Sequence, residues 1–179
     1  MDSTTLREGI FALHTRRFGS VAEVMINRLI KCGKAKNQFH DLYDDNANKR
    51  IEVKFSRVLK KDIEKVNIDT VLQCVEAATS VYRLVSFGDW KSVDFDCNIQ
   101  QIKKAEFDVL YYGLFFFDNI VIFKISCDDI GENIFYSDKQ HKGNKGEGQF
   151  HINRKTLQLH LNEYFYKKIS YDRLLKLLQ

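Results

Sequence analysis

Two acidic residues and one lysine in the first third of the sequence have the types and spacing of a metal-dependent hydrolytic site. Asp41 is followed after ten residues by Glu52 and Lys54, within the segment Ile51-Glu52-Val53-Lys54-Phe55. Because successive side chains of a strand point to opposite faces, this alternation predicts a strand that buries its apolar side chains together. Glu52 and Lys54 would then share the other face. A short hairpin would place Asp41 beside them on the neighbouring strand.

Two further acidic residues compete with Asp41 for the role of second carboxylate. Asp44 and Asp45 belong to a polar stretch of the kind that forms the tip of a hairpin. Asp41 is instead followed by Leu42 and Tyr43, which continue a strand. The pattern therefore favours Asp41, with Asp44 and Asp45 as alternatives.

The two carboxylates and the ammonium group match what hydrolysis of a phosphodiester requires. Carboxylates supply the hard oxygen ligands that Mg²⁺ prefers, and the metal neutralises phosphate charge and lowers the pKa of a bound water. Lys54 can orient or deprotonate the attacking water, or stabilise the charge that develops on the phosphate. The backbone carbonyl of Val53 lies between the two functional side chains and is a further candidate ligand.

Helices and strands alternate around this hairpin. The patterns of apolar residues and turn residues predict, in order, a helix at about 21–32, strands at 38–43 and 50–58, a helix from near Asp69, buried strands at 107–117 and 120–125, and helices at 156–166 and 170–178. The chain of 179 residues suits one domain. We therefore expect a single α/β domain over 1–179, with a central mixed β-sheet flanked by helices.

The hairpin resembles the D-x(n)-E-x-K signature of the PD-(D/E)XK nuclease superfamily, in particular type II restriction endonucleases. Asp41 matches the aspartate of the signature and Glu52-Val53-Lys54 match E-x-K, while His40 stands where the family carries proline. The resemblance covers residues 20–56 well and the rest of the chain loosely. It implies a restriction-endonuclease-like core, Mg²⁺ as cofactor, and Asp41, Glu52 and Lys54 as catalytic residues.

Members of this superfamily often carry one more acidic metal ligand on the helix before the hairpin, and the resemblance assigns that role to Glu23. A structural role competes with it. Ser20 and Glu23 have the spacing of a capping box, in which the glutamate bonds to the serine amide at the start of a helix. The sequence leaves both roles open, so the predicted metal ligands are Asp41, Glu52, Val53 and Glu23.

A basic, glycine-rich segment at 137–150 predicts a DNA-reading loop. The stretch from Lys139 to Lys155 holds five basic residues and one acidic residue. Its charge of +4 equals the net charge of the whole chain. Basic patches of this kind bind phosphates, and lysine and glutamine can bind base edges. A solvated surface loop is the alternative. The predicted DNA-binding residues are Lys139, Gln140, His141, Lys142, Asn144, Lys145 and Gln149. Weaker candidates are the run 100–104 and His14, Arg16 and Arg17.

The cysteines and the apolar segments favour a cytoplasmic protein. The four cysteines are widely spaced and include no C-x-x-C pair, which predicts reduced thiols. No apolar stretch reaches the roughly 18 residues that cross a bilayer. The N-terminal residues lack the basic-then-apolar pattern of a signal peptide. We therefore expect no membrane partner.

The resemblance and the basic loop together imply a Mg²⁺-dependent type II restriction endonuclease that cuts double-stranded DNA at a short specific sequence. A homodimer is expected because symmetric sites favour two-fold proteins. The alternative is a DNA repair or recombination nuclease of the junction-resolvase type, which shares the core and reads the shape of DNA. A third possibility is a DNA-binding module without catalytic activity. The presence of Asp41, Glu52 and Lys54 argues against it.

Overall fold

The computed structural model of the chain describes residues 1–35, 37–61, 65–78, 80–139 and 146–179. The helices are α1 (Ser3–Ala12), α2 (Thr15–Ile30), α3 (Val71–Ala77), α4 (Ser80–Arg83), α5 (Leu157–Glu163) and α6 (Tyr171–Leu178). The strands are β1 (Gly33–Lys34), β2 (Leu42–Asp44), β3 (Lys49–Arg57), β4 (Asp96–Ile102), β5 (Val109–Phe115), β6 (Asn119–Ser126), β7 (Gly148–Asn153) and β8 (Phe165–Ser170).

Six of the strands form a mixed sheet in the order β1-β2-β3-β5-β6-β8. Strands β3 and β5 are parallel, and every other neighbouring pair of this sheet is antiparallel. Parallel neighbours require a long crossover, and here the chain between β3 and β5 provides it. With helices packed against the sheet, this confirms the predicted α/β class with a central mixed sheet.

Apolar clusters cover both faces of the sheet. On one face, α1, α2 and α6 pack against side chains that include Ile51, Val53 and Tyr111. On the other, α5 and two further strands pack against side chains that include Leu110 and Tyr112. Consecutive residues of β5 thus point into different clusters, which explains its nearly continuous apolar sequence. The prediction of strands buried on both faces is confirmed.

Strands β4 and β7 form a separate antiparallel pair, which we call the β4–β7 ribbon. Its inward side chains Cys97, Ile99, Phe150 and Ile152 are buried in the same cluster as Leu110. The sequence patterns predicted neither strand. They also predicted a helix at 156–166, whereas α5 ends at Glu163 and the chain enters β8 at Phe165.

Two predicted helices differ from the observed ones. Helix α2 starts at Thr15, six residues before the predicted start, because its apolar stripe already begins with the buried Phe18. The helix predicted near Asp69 is present as α3, but its apolar side is not buried: Leu72 and Val75 are 81% and 64% exposed. None of the helices in the described part of the chain has the length and apolar character needed to cross a membrane.

Candidate active site

The β2–β3 hairpin holds Asp41 in place through both its backbone and its carboxylate. Leu42 pairs with Ile51 in the antiparallel register, and the Asp41 amide, one residue earlier, donates to the Ile51 carbonyl at 3.1 Å. The Asp41 carboxylate oxygen Oδ2 accepts a hydrogen bond from the Val53 amide at 2.9 Å. The carboxylate is therefore anchored to the strand that carries Glu52 and Lys54.

Lys54 joins the two carboxylates. Its Nζ forms a direct ion pair with Glu52 Oε1 and lies 3.9 Å from Asp41 Oδ2. The structure thus brings together the three residues that the sequence pattern singled out. Lys54 is the partner of Tyr112 across the β3–β5 pair, and Glu52 is the partner of Leu110, so both side chains stand on the sheet face that the β4–β7 ribbon helps to cover.

Burial determines the electrostatics of this group. Glu52 is only 8% exposed, and its burial raises the pKa of its carboxyl to about 7, with Lys54 lowering that pKa and the Asp41 charge raising it. Burial disfavours the Lys54 ammonium, but the attraction of Glu52 and Asp41 outweighs it and raises the lysine pKa. At neutral pH Lys54 is therefore charged, while Glu52 is close to its point of ionisation.

Glu23 on α2 lies within electrostatic reach of the same group. Burial raises the pKa of its carboxyl, the Asp41 charge raises it further, and Lys54 lowers it. The capping-box alternative is wrong because α2 begins at Thr15 and Ser20 lies inside the helix. The Ser20 hydroxyl instead donates to the Arg16 carbonyl at 3.4 Å.

The two competing aspartates have structural roles in the hairpin turn and its edge. Asp44 Oδ1 accepts bonds from the amides of Asn46 and Ala47 at 3.0 and 3.1 Å. A Cβ added at Gly33 of β1 would lie 2.8 Å from Asp45 Oδ2, which places the Asp45 carboxylate against that strand. Of the three aspartates, Asp41 is the one whose carboxylate lies beside Lys54.

The donor set fits a magnesium ion better than a metal that needs a full protein cage. Among the described residues, no three or more His, Cys, Asp and Glu side chains are grouped so that they could hold a metal ion. Mg²⁺ needs less, because one or two carboxylates suffice when waters and substrate phosphates complete its octahedron. Asp41 and Glu52 supply two such carboxylates in one half-buried corner. Val53, whose amide is bonded to Asp41, and Glu23 remain predicted ligands.

Sequence reasoning missed two polar groups near this corner. The charge of Glu106, in the turn before β5, contributes to the raised pKa of Glu52. His40, next to Asp41, is 6% exposed, and neither ring nitrogen has a hydrogen-bond partner among the described residues. In the sequence, Glu106 stands just before an apolar strand. Its proximity to Glu52 follows only from the parallel pairing of β5 with β3.

The predicted DNA-reading loop is described only at its ends. Gln140, His141, Lys142, Asn144 and Lys145 lie outside the described residues. Lys139 is exposed, and its amide donates to the Ser137 hydroxyl at 3.2 Å. Gln149 belongs to β7 rather than to a loop, which corrects the predicted extent of this segment. Of the weaker candidates, 100–102 lie in β4, His14 is the N-cap of α2, and Arg16 and Arg17 lie in its first turn.

Comparison of the chain with models of protein families, with curated proteins and with solved structures finds no match.

Proposed function

We propose that this protein is a Mg²⁺-dependent endonuclease that hydrolyses phosphodiester bonds in double-stranded DNA at a short specific sequence. The observation that carries the proposal is the convergence of Asp41, Glu52 and Lys54 in one half-buried corner. The D-x(n)-E-x-K pattern of the hairpin supports it, because that pattern resembles the catalytic signature of the PD-(D/E)XK superfamily. The restriction-endonuclease-like core is part of the same proposal.

Each residue has a distinct role in this reaction. Asp41 and Glu52 would hold the metal, with the Val53 carbonyl and Glu23 as additional ligands. When bound, Mg²⁺ would neutralise phosphate charge and lower the pKa of a bound water. Lys54 keeps its proton because both carboxylates attract the ammonium, so it is suited to stabilise the negative charge that develops on the phosphate.

We further propose that two copies of the chain act on one site. One chain offers one such catalytic group in its described residues, whereas a double-strand cut requires two hydrolytic events. A symmetric dimer would place one group on each strand. A nuclease of the junction-resolvase type shares this catalytic group and differs in reading the shape of DNA. The two kinds of nuclease are distinguished by the DNA fragments they produce. Discrete fragments indicate cleavage at a specific sequence, and fragments of continuous length indicate a nuclease that reads shape.

The first experiment is incubation of the protein with plasmid DNA and Mg²⁺, with EDTA as the control. We expect discrete fragments in Mg²⁺ and none in EDTA. Lys54→Ala should lower the cleavage rate by about a thousandfold while DNA binding persists, because phosphate contacts are spread over many basic residues. Lys167→Ala, which removes an exposed lysine from β8, is the matched control and should cut at the wild-type rate.

Two outcomes would overturn the proposal. One is the absence of Mg²⁺-dependent cleavage of any duplex. The other is a Lys54→Ala variant that cuts within tenfold of the wild type, since this would remove Lys54 from the reaction. Fragments of continuous length, with cleavage concentrated at branched DNA, would favour the shape-reading nuclease.

A further inference from the structure

The outward face of the β4–β7 ribbon consists entirely of polar side chains. Inward residues of both strands are buried, whereas the alternate residues form three cross-strand rows. From one end of the ribbon to the other, the rows are Asp96 with Asn153, Asn98 with His151, and Gln100 with Gln149.

This face is rich in amides and poor in net charge. Four of its six side chains are asparagine or glutamine, and the remaining two pair with each other, since His151 Nδ1 lies 3.0 Å from Asp96 Oδ1. An amide carries a donor and an acceptor side by side. A face of this composition suits a partner with paired donors and acceptors rather than a run of phosphates.

One amide on this face is only half satisfied within the described residues. Asn98 Nδ2 donates to Gln149 Oε1 at 2.8 Å, whereas the buried Asn98 Oδ1 has no hydrogen-bond partner in the described part of the chain. Buried polar atoms are seldom left without partners in native proteins. The bond to Gln149 therefore fixes the Asn98 amide between two neighbouring rows, while its Oδ1 is shielded from solvent.

The ribbon lies beside the proposed active site. Its inward residues share an apolar cluster with Leu110, the β5 partner of Glu52. Cys97 Sγ lies 3.6 Å from the carbonyl oxygen of Arg57, the last residue of β3. At its other end β4 leads to Lys103, whose Nζ lies 3.7 Å from Glu106. The ribbon therefore packs on the sheet face that carries Glu52 and Lys54, with its amide face turned away from the sheet.

We propose that the β4–β7 ribbon enters the major groove of the DNA and that its amides read adenines in the recognised sequence. This inference rests on the proposed nuclease function. The major groove admits a two-stranded ribbon, and asparagine and glutamine bind the N6 and N7 edge of adenine with two hydrogen bonds. Rows two residues apart are spaced by about 6.8 Å, which is about two base-pair steps.

Cations stand at both ends of the amide face, where the phosphate backbones would pass. Lys103 lies next to the end of β4. At the opposite end, a cleft is lined by Lys61, Arg154 and Lys155 together with Asp94 and Asn153. Arg154 is paired with Asp94 at 3.1 Å, while Lys61 and Lys155 are exposed. Amides in the middle and cations at the ends match the arrangement of base edges between two phosphate strands.

The test is selection of duplexes from a random pool by the wild-type protein in Ca²⁺, which commonly occupies Mg²⁺ sites without supporting cleavage. We expect enrichment of A·T pairs at fixed positions. Gln100→Ala should lower binding to the selected duplex by about ten- to a hundredfold, with a small loss on unrelated duplexes. Gln100→Glu should shift the preference at one position towards cytosine, whose N4 group donates to a carboxylate.

Gln158→Glu, the same chemical change at an exposed position of α5, is the matched control and should leave the selected sequence unchanged. Discrete cleavage fragments combined with a selected sequence that Gln100→Ala and Gln100→Glu leave unaltered would overturn the ribbon inference and leave the nuclease proposal standing. A selected sequence that changes with Gln100, in a protein that never cuts DNA, would support the ribbon and overturn the nuclease. Retention of no duplex from the pool would overturn the ribbon inference.

Discussion

The β2–β3 hairpin and the β4–β7 ribbon are both antiparallel pairs with alternating side chains, yet they use their polar faces differently. In the hairpin, Glu52 and Lys54 are ionisable, withdrawn from solvent and paired with each other. In the ribbon, the outward residues are mostly neutral amides, of which Gln100 is exposed and the others are half-buried. Burial strengthens the interactions of the ionised groups in the hairpin, whereas the neutral amides of the ribbon interact through hydrogen bonds.

Under the proposed function, this difference separates the region that would carry out the chemistry from the region that would read the DNA. A charge placed in a low-dielectric corner interacts strongly with neighbouring charges and with whatever binds there. A neutral amide on an exposed strand adds little to affinity for phosphates but can distinguish one base from another. The two regions should therefore respond oppositely to exchanges of carboxylate for amide, and the following predictions use that contrast.

The largest effect is expected from Glu52→Gln. We predict a loss of about a thousandfold in the single-turnover cleavage rate, with the sequence preference measured in Ca²⁺ retained. Glu163→Gln, at an exposed position on α5, should change neither quantity. If Glu52→Gln altered the preferred sequence as strongly as the rate, the separation between the two regions would be wrong.

A substitution at Gly113 tests the packing of β5, the strand against which both the β2–β3 hairpin and the β4–β7 ribbon lie. It lies in the middle of β5, and a Cβ there would overlap the Val121 carbonyl oxygen and the Phe55 ring. We expect Gly113→Ala to lower the free energy of unfolding by about 3 kcal/mol, measured by urea denaturation. Gly88→Ala, where a Cβ meets no atom within 4 Å, should change it by less than about 0.5 kcal/mol. Equal stabilities of the two variants would contradict the packing of β5.

The pH dependence should also differ between the regions. The pKa of Glu52 is raised to about 7, so protons compete with a metal at this carboxylate below that pH. The Mg²⁺ concentration for half-maximal cleavage should therefore increase as pH falls from 8 to 6, by up to about tenfold per unit below 7. The contribution of Gln100 to sequence preference should not change over this range, because a neutral amide does not titrate. A constant Mg²⁺ requirement would remove Glu52 from the metal site.

The pKa of the Glu52 carboxyl can also be tested through the pH dependence of the stability of the metal-free protein. A folded-state pKa above the ordinary value of 4.5 means that the folded protein holds this proton more tightly than the unfolded chain. The stability contributed by Glu52 is therefore present below about pH 4.5 and is lost as pH rises through about 7. Mg²⁺ should raise the thermal unfolding midpoint more at pH 8 than at pH 6, and this difference should vanish in Glu52→Gln.

The smallest effect is expected at Glu23. Because the helix start excludes a capping role for this residue, Glu23→Gln should leave the stability of the protein within about 0.5 kcal/mol of the wild type. As an additional metal ligand, it should raise the Mg²⁺ requirement by roughly three- to tenfold. Glu8→Gln on α1 is the control. An unchanged Mg²⁺ requirement would leave Glu23 outside the metal site.

The parts of the fold that could be predicted from the sequence are those whose residues lie close together in the chain. Asp41 and Lys54 belong to one hairpin, and the alternation of Ile51, Val53 and Phe55 indicates its faces without knowledge of the rest of the chain. The start of α2 was placed too late because Gly19 and Ser20 are usual helix boundaries, whereas here the buried Phe18 extends the apolar stripe across them.

The ribbon could not be predicted because its two strands come from distant parts of the chain. Gln100 pairs with Gln149, and neither strand has enough apolar residues on its own to stand out from a polar loop. The polar rows are also what makes these strands resemble loops in sequence. The segment Gln149-Phe150-His151-Ile152-Asn153 does alternate polar and apolar residues, but the run is short and its partner strand lies far away in the sequence.

The parallel pairing of β3 with β5 has a consequence for how the protein folds. Strands β5 and β6 are joined by the short turn at Phe116, Phe117 and Asp118, so this hairpin can form within microseconds. Docking of β3 onto β5 must instead close the long crossover that includes α3, α4 and β4, and non-local pairings of this kind are slow. The proposed cleavage activity should therefore appear late in refolding, after most secondary structure is present, because the face carrying Glu52 and Lys54 is completed only when that crossover closes.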